Sequence, residues 1–154
     1  MENELIISIK AVGRGALDLL NGSKPKEVLY IIMDFVQNGE LFNIVESTGK
    51  FSEDTARYYF RQLLSALNYL HNTMSVCHRD IKLENILMDA NLNIKLNDFG
   101  FCTQVKDVAG QPITLTDFKG TEGYMAPEMF TNQGYDGQKT DIFALAVSLF
   151  MMVT

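Results

Sequence analysis

The stretch His78-Arg79-Asp80-Ile81-Lys82-Leu83-Glu84-Asn85, HRDIKLEN at residues 78–85, holds two cations, two carboxylates, an amide and an imidazole with only Ile81 and Leu83 apolar; the apolar run Ile86-Leu87-Met88 follows. In a loop that faces a nucleotide phosphate and a hydroxyl, Asp80 suits accepting the hydroxyl proton or orienting the attacking oxygen. Lys82 suits neutralising a phosphoryl group in transfer, and Asn85 suits offering an amide oxygen to Mg²⁺. Magnesium takes hard oxygen ligands and keeps phosphates in its shell, so a second carboxylate is expected nearby in space. Asp98, in Asn97-Asp98-Phe99-Gly100, is the candidate. Between the two lie residues 86–89 (ILMD) and 92–98 (LNIKLND), separated by a turn at Ala90-Asn91. Two short strands around that turn predict a hairpin whose open end brings Asn85 and Asp98 together.

Working outward, the 154 residues are 47% apolar with ordinary charged content, which indicates one globular domain or part of one. The net charge of −6 argues against a partner held through its phosphate backbone, so nucleic acid is not expected. Cys77 and Cys102 have no metal-type spacing and read as reduced thiols, which points to the cytoplasm or nucleus. The run from Ile142 to Val153 is too short to cross a bilayer, so no membrane is expected and a buried core helix is.

Residues 5–9 (LIISI) and 16–20 (ALDLL) are apolar patches split by Gly13-Arg14-Gly15, which interrupts any helix begun by the first. Residues 21–25 compose a turn, and Val28 to Phe35 reads as a largely buried strand. A short helix is expected from Glu40 to about Glu46. A longer one starts at Ser52 as N-cap, with Glu53 and Asp54 in its first turn. Ala56, Tyr59, Phe60, Leu63, Leu64, Leu67 and Leu70 recur at helical spacing as its buried face. Residues 98–128 have no sustained period and many Gly, Thr and Pro, a length of loop that suggests function.

HRD-x-K-x-x-N at 78–85, Asp98-Phe99-Gly100 and Ala126-Pro127-Glu128, in this order and context, resemble the signature set of eukaryotic protein kinases. Lys82 two residues after Asp80, with Gly120-Thr121 before the last motif, is similar to the serine/threonine class. Residues 52–72, with Glu40-Leu41-Phe42 before them, are similar to the calcium/calmodulin-dependent and AMP-activated kinase groups. The resemblance implies an α+β, protein-kinase-like fold: mostly the helical C-terminal lobe, with residues 1–27 a remnant of the N-terminal lobe and 28–154 a partial kinase domain. It implies ATP and Mg²⁺ as cofactors, Asp80 and Lys82 as catalytic residues, and Asn85 and Asp98 as magnesium ligands. Met33 resembles a gatekeeper, Asp34, Phe35 and Val36 a hinge whose backbone holds adenine, Glu40 a ribose or substrate contact, and Leu87 a residue beneath the adenine ring.

By the same resemblance Arg79 pairs with a phosphate on the activation segment. The position usually phosphorylated is Asp117, which is expected to substitute in part; Thr114 and Thr116 are further candidate phosphosites. Thr121 is expected to hydrogen-bond near Asp80, and Asp141 to hold the catalytic-loop backbone. Protein substrates are the implied partners, with Glu40 and Glu84 hinting at basic residues near the target hydroxyl.

A kinase also needs a glycine-rich loop and a strand lysine held by a helix glutamate, and residues 1–27 show neither loop nor lysine; Glu4, or Glu2, is the candidate glutamate. The isolated polypeptide is therefore expected to be inactive, with the apolar helix 141–153 covered by further kinase segments or a partner. Two alternatives stand beside this: a non-catalytic kinase-like interaction module, and a metal-dependent hydrolase using His78 and Asp80.

Overall fold

The computed structural model describes residues 3–17, 26–131 and 133–154. In chain order the elements are strands β1 (Ile9–Leu17) and β2 (Lys26–Met33), helices α1 (Leu41–Thr48) and α2 (Glu53–Asn68), and strands β3 (Val76–Cys77), β4 (Ile86–Met88), β5 (Ile94–Leu96) and β6 (Thr103–Gln104). Helix α3 (Gly137–Val153) closes the chain. This is the expected α+β arrangement, dominated by helices, with three two-stranded antiparallel pairs among the described residues: β1 with β2, β3 with β6, and β4 with β5.

Helix α2 forms where the sequence predicts it. Ser52 Oγ accepts from the Thr55 amide at 3.2 Å, which satisfies one of the free donors of the first turn. Ala56, Tyr59, Leu63, Ala66, Leu67 and Leu70 are buried, and all of these but Ala66 pack with Leu145 and Met152 of α3 and with Ile86, Met88, Ile94 and Leu96 of the hairpin into one core. Leu64, expected on the buried face, is instead exposed. It lies between Leu63 and Ser65 at the edge of the stripe, and the ~100° arc that packs on α3 and the hairpin does not reach it. Beyond Asn68 the helix widens into a π-helical turn, Tyr69–Thr73, that carries His71 inward.

The N-terminal part departs from the expectation. Gly13-Arg14-Gly15 does not interrupt a helix; it lies inside β1, in a ribbon with β2. Glu4 lies in a turn and not on a helix, its carbonyl accepting from Lys95 Nζ. Strand β2 occupies most of the predicted 28–35 stretch but is not largely buried: Leu29 is 70% exposed, and Tyr30, Ile31, Ile32 and Met33 are exposed as well. Its apolar side chains point to both faces of a two-stranded ribbon, and among the described residues no third strand or helix covers either face. The expected turn at 21–25 lies outside the described residues, as do residues 18–20 of the second apolar patch.

Helix α3 starts one turn before the predicted Asp141, because Asp136 Oδ1 accepts from the Gln138 amide and caps it there. Leu145, Ser148 and Met152 face the core, while Ile142, Phe143 and Phe150 are exposed. Among the described residues no helix is long and apolar enough to cross a membrane.

Candidate active site

The HRDIKLEN loop runs between β3 and β4, and its shape is imposed from below. Asp141, 1% exposed, is buried under the loop: Oδ2 accepts from the His78 amide at 2.8 Å and Oδ1 from the Arg79 amide at 2.8 Å. His71 Nε2 lies 2.8 Å from the same Oδ2. Two main-chain donors fixed on one carboxylate hold Arg79 at φ 69°, a left-handed conformation that costs a non-glycine residue about 1–3 kcal/mol unless its surroundings enforce it. The His78 ring is fully buried and braces the other side, with Nε2 at 2.9 Å from the Asn97 carbonyl and Nδ1 accepting from the Asp80 amide at 3.3 Å. Burial pushes this imidazole below its ordinary pKa although Asp141 opposes the shift, so it stays neutral and donates through Nε2.

Asp80 is presented at the centre of a polar cluster. Thr121 Oγ1 donates to its Oδ1 at 2.6 Å; Asn85 Nδ2 donates to its Oδ2 at 3.0 Å and to its carbonyl at 2.8 Å. Lys82 Nζ stands 3.0 Å from Oδ2 and donates to Thr121 Oγ1 at 2.8 Å. Burial works to raise the Asp80 pKa, but the hydrogen bonds from Thr121 and Lys82, the Lys82 charge and the Asn85 amide outweigh it and hold the carboxyl below its usual range. Thr121 reaches Asp80 because Gly120 precedes it at φ 127°; a Cβ there would lie 2.8 Å from the Arg79 carbonyl.

The hairpin pairs Ile86 with Leu96 and Met88 with Ile94, and the Asn97 amide donates to the Asn85 carbonyl at 2.9 Å. Asn85 and Asp98 thus stand at the same open end. Asn85 turns its amide nitrogen to Asp80, so its amide oxygen points away from that carboxylate. Asp98, exposed and at φ 59°, caps its own turn by accepting from the Gly100 amide at 3.1 Å. An amide oxygen and a carboxylate are hard donors that fit Mg²⁺ carried with phosphates. Among the described residues no group of three or more His, Cys, Asp or Glu could hold a metal alone. With His78 buried on main-chain partners, the hydrolase reading has no ligand set.

The other candidates fall into two places. Residues 38–40 cross onto β4: the Met88 amide donates to the Gly39 carbonyl at 2.9 Å, and Glu40 bridges Leu87. Met33, Asp34 and Val36 precede this crossing at the end of the ribbon, where the Asp34 amide donates to the Ser8 carbonyl at 3.2 Å and its carboxylate faces Lys10 at 3.2 Å. Arg79 takes its side-chain partners outside the Asp80 cluster. Its side chain is 8% exposed, with Nε donating to the Phe101 carbonyl at 2.6 Å and Nη1 to Asp117 Oδ1 at 2.6 Å. The hydrogen bond from Arg79 holds the Asp117 carboxyl below its usual pKa.

Both cysteines are free; Cys77 is buried, and burial, with Asp141 nearby, pushes its thiol up to about 12. His71 and Tyr135 were not singled out by sequence as parts of this site. A polar residue directly after Leu70 on a buried helical stripe is the only signal His71 offers. Tyr135, in a loop without period, offers none.

With the geometry of this loop, its hairpin and its supporting helix in hand, comparison with known proteins gives the family. The protein kinase domain family matches residues 3–154. The chain is 41% identical over 139 residues to serine/threonine-protein kinase CHK1 of Saccharomyces cerevisiae, covering 90% of this chain and 26% of that protein. It is 45% identical over 130 residues to serine/threonine-protein kinase SIK2 of Gallus gallus, covering 84% of this chain and 16% of that protein. It is also 41% identical over 137 residues to CBL-interacting protein kinase 11 of Oryza sativa subsp. japonica, covering 89% and 27%. The chain belongs to the protein kinase family, and the yeast and chicken relatives are serine/threonine-protein kinases. It spans about a quarter or less of their length.

Proposed function

We propose that this domain transfers the γ-phosphoryl group of ATP to a serine or threonine hydroxyl of a protein. The observation that carries the reading is the convergence of Asp80, Lys82, Asn85 and Thr121 within hydrogen-bonding distance, with Asp98 at the adjoining end of the hairpin. Asp80, kept ionised by its neighbours, accepts the proton of the attacking hydroxyl as the new P–O bond forms and the bond to the β-phosphate bridging oxygen breaks, releasing ADP. Lys82 sits beside that carboxylate to neutralise the group in transfer. The Asn85 amide oxygen and the Asp98 carboxylate would hold Mg²⁺, whose positive charge would offset that of the phosphates. Residues 34–36 receive adenine through their main chain, with Met33 at the back of the pocket, Leu87 beneath the base and Glu40 toward the ribose; the Glu40–Leu87 bridge supports this grouping.

Arg79 and Asp117 are the regulatory pair, Asp117 standing where a phosphate would otherwise order the segment. Glu84, half-buried and accepting from the Tyr124 hydroxyl at 3.4 Å, supports a basic substrate residue near the target. Two free thiols suit the cytoplasm or nucleus.

The 154-residue polypeptide alone has negligible transferase activity, because positioning the triphosphate is most of the catalysis and this sequence holds no glycine-rich loop. The test is a chimera that supplies the glycine-rich and lysine-bearing strands of a kinase relative. Phosphorylation of protein substrates is expected from it, falling at least about 100-fold in Asp80→Asn. A folded chimera without transfer would overturn the reading, and ATP turnover by residues 1–154 that Asp80→Asn abolishes would overturn the claim of inactivity. The exposed apolar ribbon, with Leu29 at 70% and Phe35 at 82%, favours a second reading, a non-catalytic interaction module. Mg·ATP that raises the Tm of the chain counts against it.

A further inference from the structure

Residues 113–117 lie beside the catalytic loop, and a set of contacts outside every motif fixes them there. The Leu115 amide donates to the Tyr135 carbonyl at 2.9 Å, and the Tyr135 amide returns a bond to the Leu115 carbonyl at 2.8 Å. Two residues on, the Tyr135 hydroxyl donates to the Asp117 carbonyl at 2.7 Å. Leu115 and Tyr135 are buried in a second apolar cluster with Cys77, Val105, Ala126 and Met129, separate from the main core. Gly134, at φ 77°, lets the strands approach so closely that a Cβ would lie 2.5 Å from Thr114 Cγ2 and 3.0 Å from the Leu115 carbonyl.

We propose that Tyr135 is a positioning residue: its main chain grips Leu115 and its hydroxyl grips Asp117, so that the Asp117 carboxylate is delivered to Arg79 and the 113–117 segment is tied to the catalytic loop. The clasp explains why the ion pair is so short although Asp117 is 47% exposed. A free, exposed aspartate would share its time with water, whereas one whose carbonyl is already anchored gives up little further freedom to meet the arginine. Burial works against the charged form of the Arg79 guanidinium, and Asp117 with Tyr135 nearby holds it charged. The significance of the clasp for catalysis rests on the kinase reading above; its geometry does not.

The test is Tyr135→Phe, which removes one oxygen and leaves the ring in its cluster, with Gly134→Ala as a second variant that strains the backbone grip. In Tyr135→Phe, amide exchange at Leu115 and exchange of the Arg79 Nη1 protons, which face Asp117, are expected to quicken roughly 3- to 10-fold, the range one lost hydrogen bond supports. Cleavage of the 107–119 segment by a protease at low concentration should rise in step, while Tm stays within about 3 °C. Asp117→Asn should then add little on the Tyr135→Phe background, because the pair is already loosened. Unchanged exchange of the Arg79 Nη1 protons in both variants, or fully additive effects of Tyr135→Phe and Asp117→Asn, would overturn the proposal. None of these readouts requires phosphoryl transfer, so failure of the clasp and failure of the kinase reading are distinguishable.

Discussion

Asp141→Asn keeps the size and shape of the side chain and removes one acceptor, which makes it a sharp probe of how the catalytic loop is held. In the native protein Oδ1 serves the Arg79 amide and Oδ2 serves the His78 amide and faces His71 Nε2. An asparagine has one oxygen. Placed toward Arg79, it leaves its NH₂ against the His78 N–H; flipped, it leaves the NH₂ against the Arg79 N–H. Either way a backbone donor buried under the loop loses its partner, and two donors face each other. The substitution loses a charge-assisted hydrogen bond, worth about 1.5–3 kcal/mol, and strands a buried polar group at a comparable cost, so a loss of about 3 kcal/mol is expected after partial relaxation. With a urea m-value of about 2 kcal/mol per molar, the unfolding midpoint should fall by about 1.5 M. Urea titration followed by circular dichroism measures this, and amide exchange at His78 and Arg79 locates it. A midpoint shift below about 0.3 M with both amides still protected would show that Asp141 does not hold the loop.

Thr121→Val removes the hydroxyl shared by Asp80 and Lys82 and should cost about 2 kcal/mol at neutral pH. The Asp80 pKa is lower in the folded than in the unfolded protein, so its stabilisation is complete above the unfolded value of about 4 and is lost as pH falls through the folded value. The difference between wild type and Thr121→Val should accordingly shrink below about pH 4 in chemical denaturation across a pH series. Asp117→Asn should cost only about 0.5–1 kcal/mol, because the carboxylate is 47% exposed, and the loss should diminish with added salt and disappear in acid as Asp117 protonates. Ser52→Ala should lower stability by about 1 kcal/mol through loss of the bond to the Thr55 amide, with Ser52→Asp restoring it in the same urea assay.

Local chemistry made the catalytic stretch legible before any coordinates. The period of α2, its serine cap and the turn between β4 and β5 are all encoded within a few residues of where they act, and the hairpin follows from them. With that hairpin, Asn85 and Asp98 had to share an end. The same local reasoning failed at the ribbon. Alternating and continuous apolar strands look alike to a pattern that assumes a core on at least one side, and whether β2 is covered depends on what packs against it.

What the amino-acid order by itself determined is helix α2, the β4–β5 hairpin and the placing of Asp80, Lys82 and Asn85 in one loop, since these depend on periodicity, capping and turns within short spans of chain. Only the tertiary structure decided which distant groups meet. His71 and Asp141 are 70 residues apart, Arg79 and Asp117 are 38 apart, and Tyr135 lies in a loop without pattern. Their contacts are made across packed helices and an irregular segment, where no short-range preference specifies a partner and the shape of the core alone brings the atoms within reach.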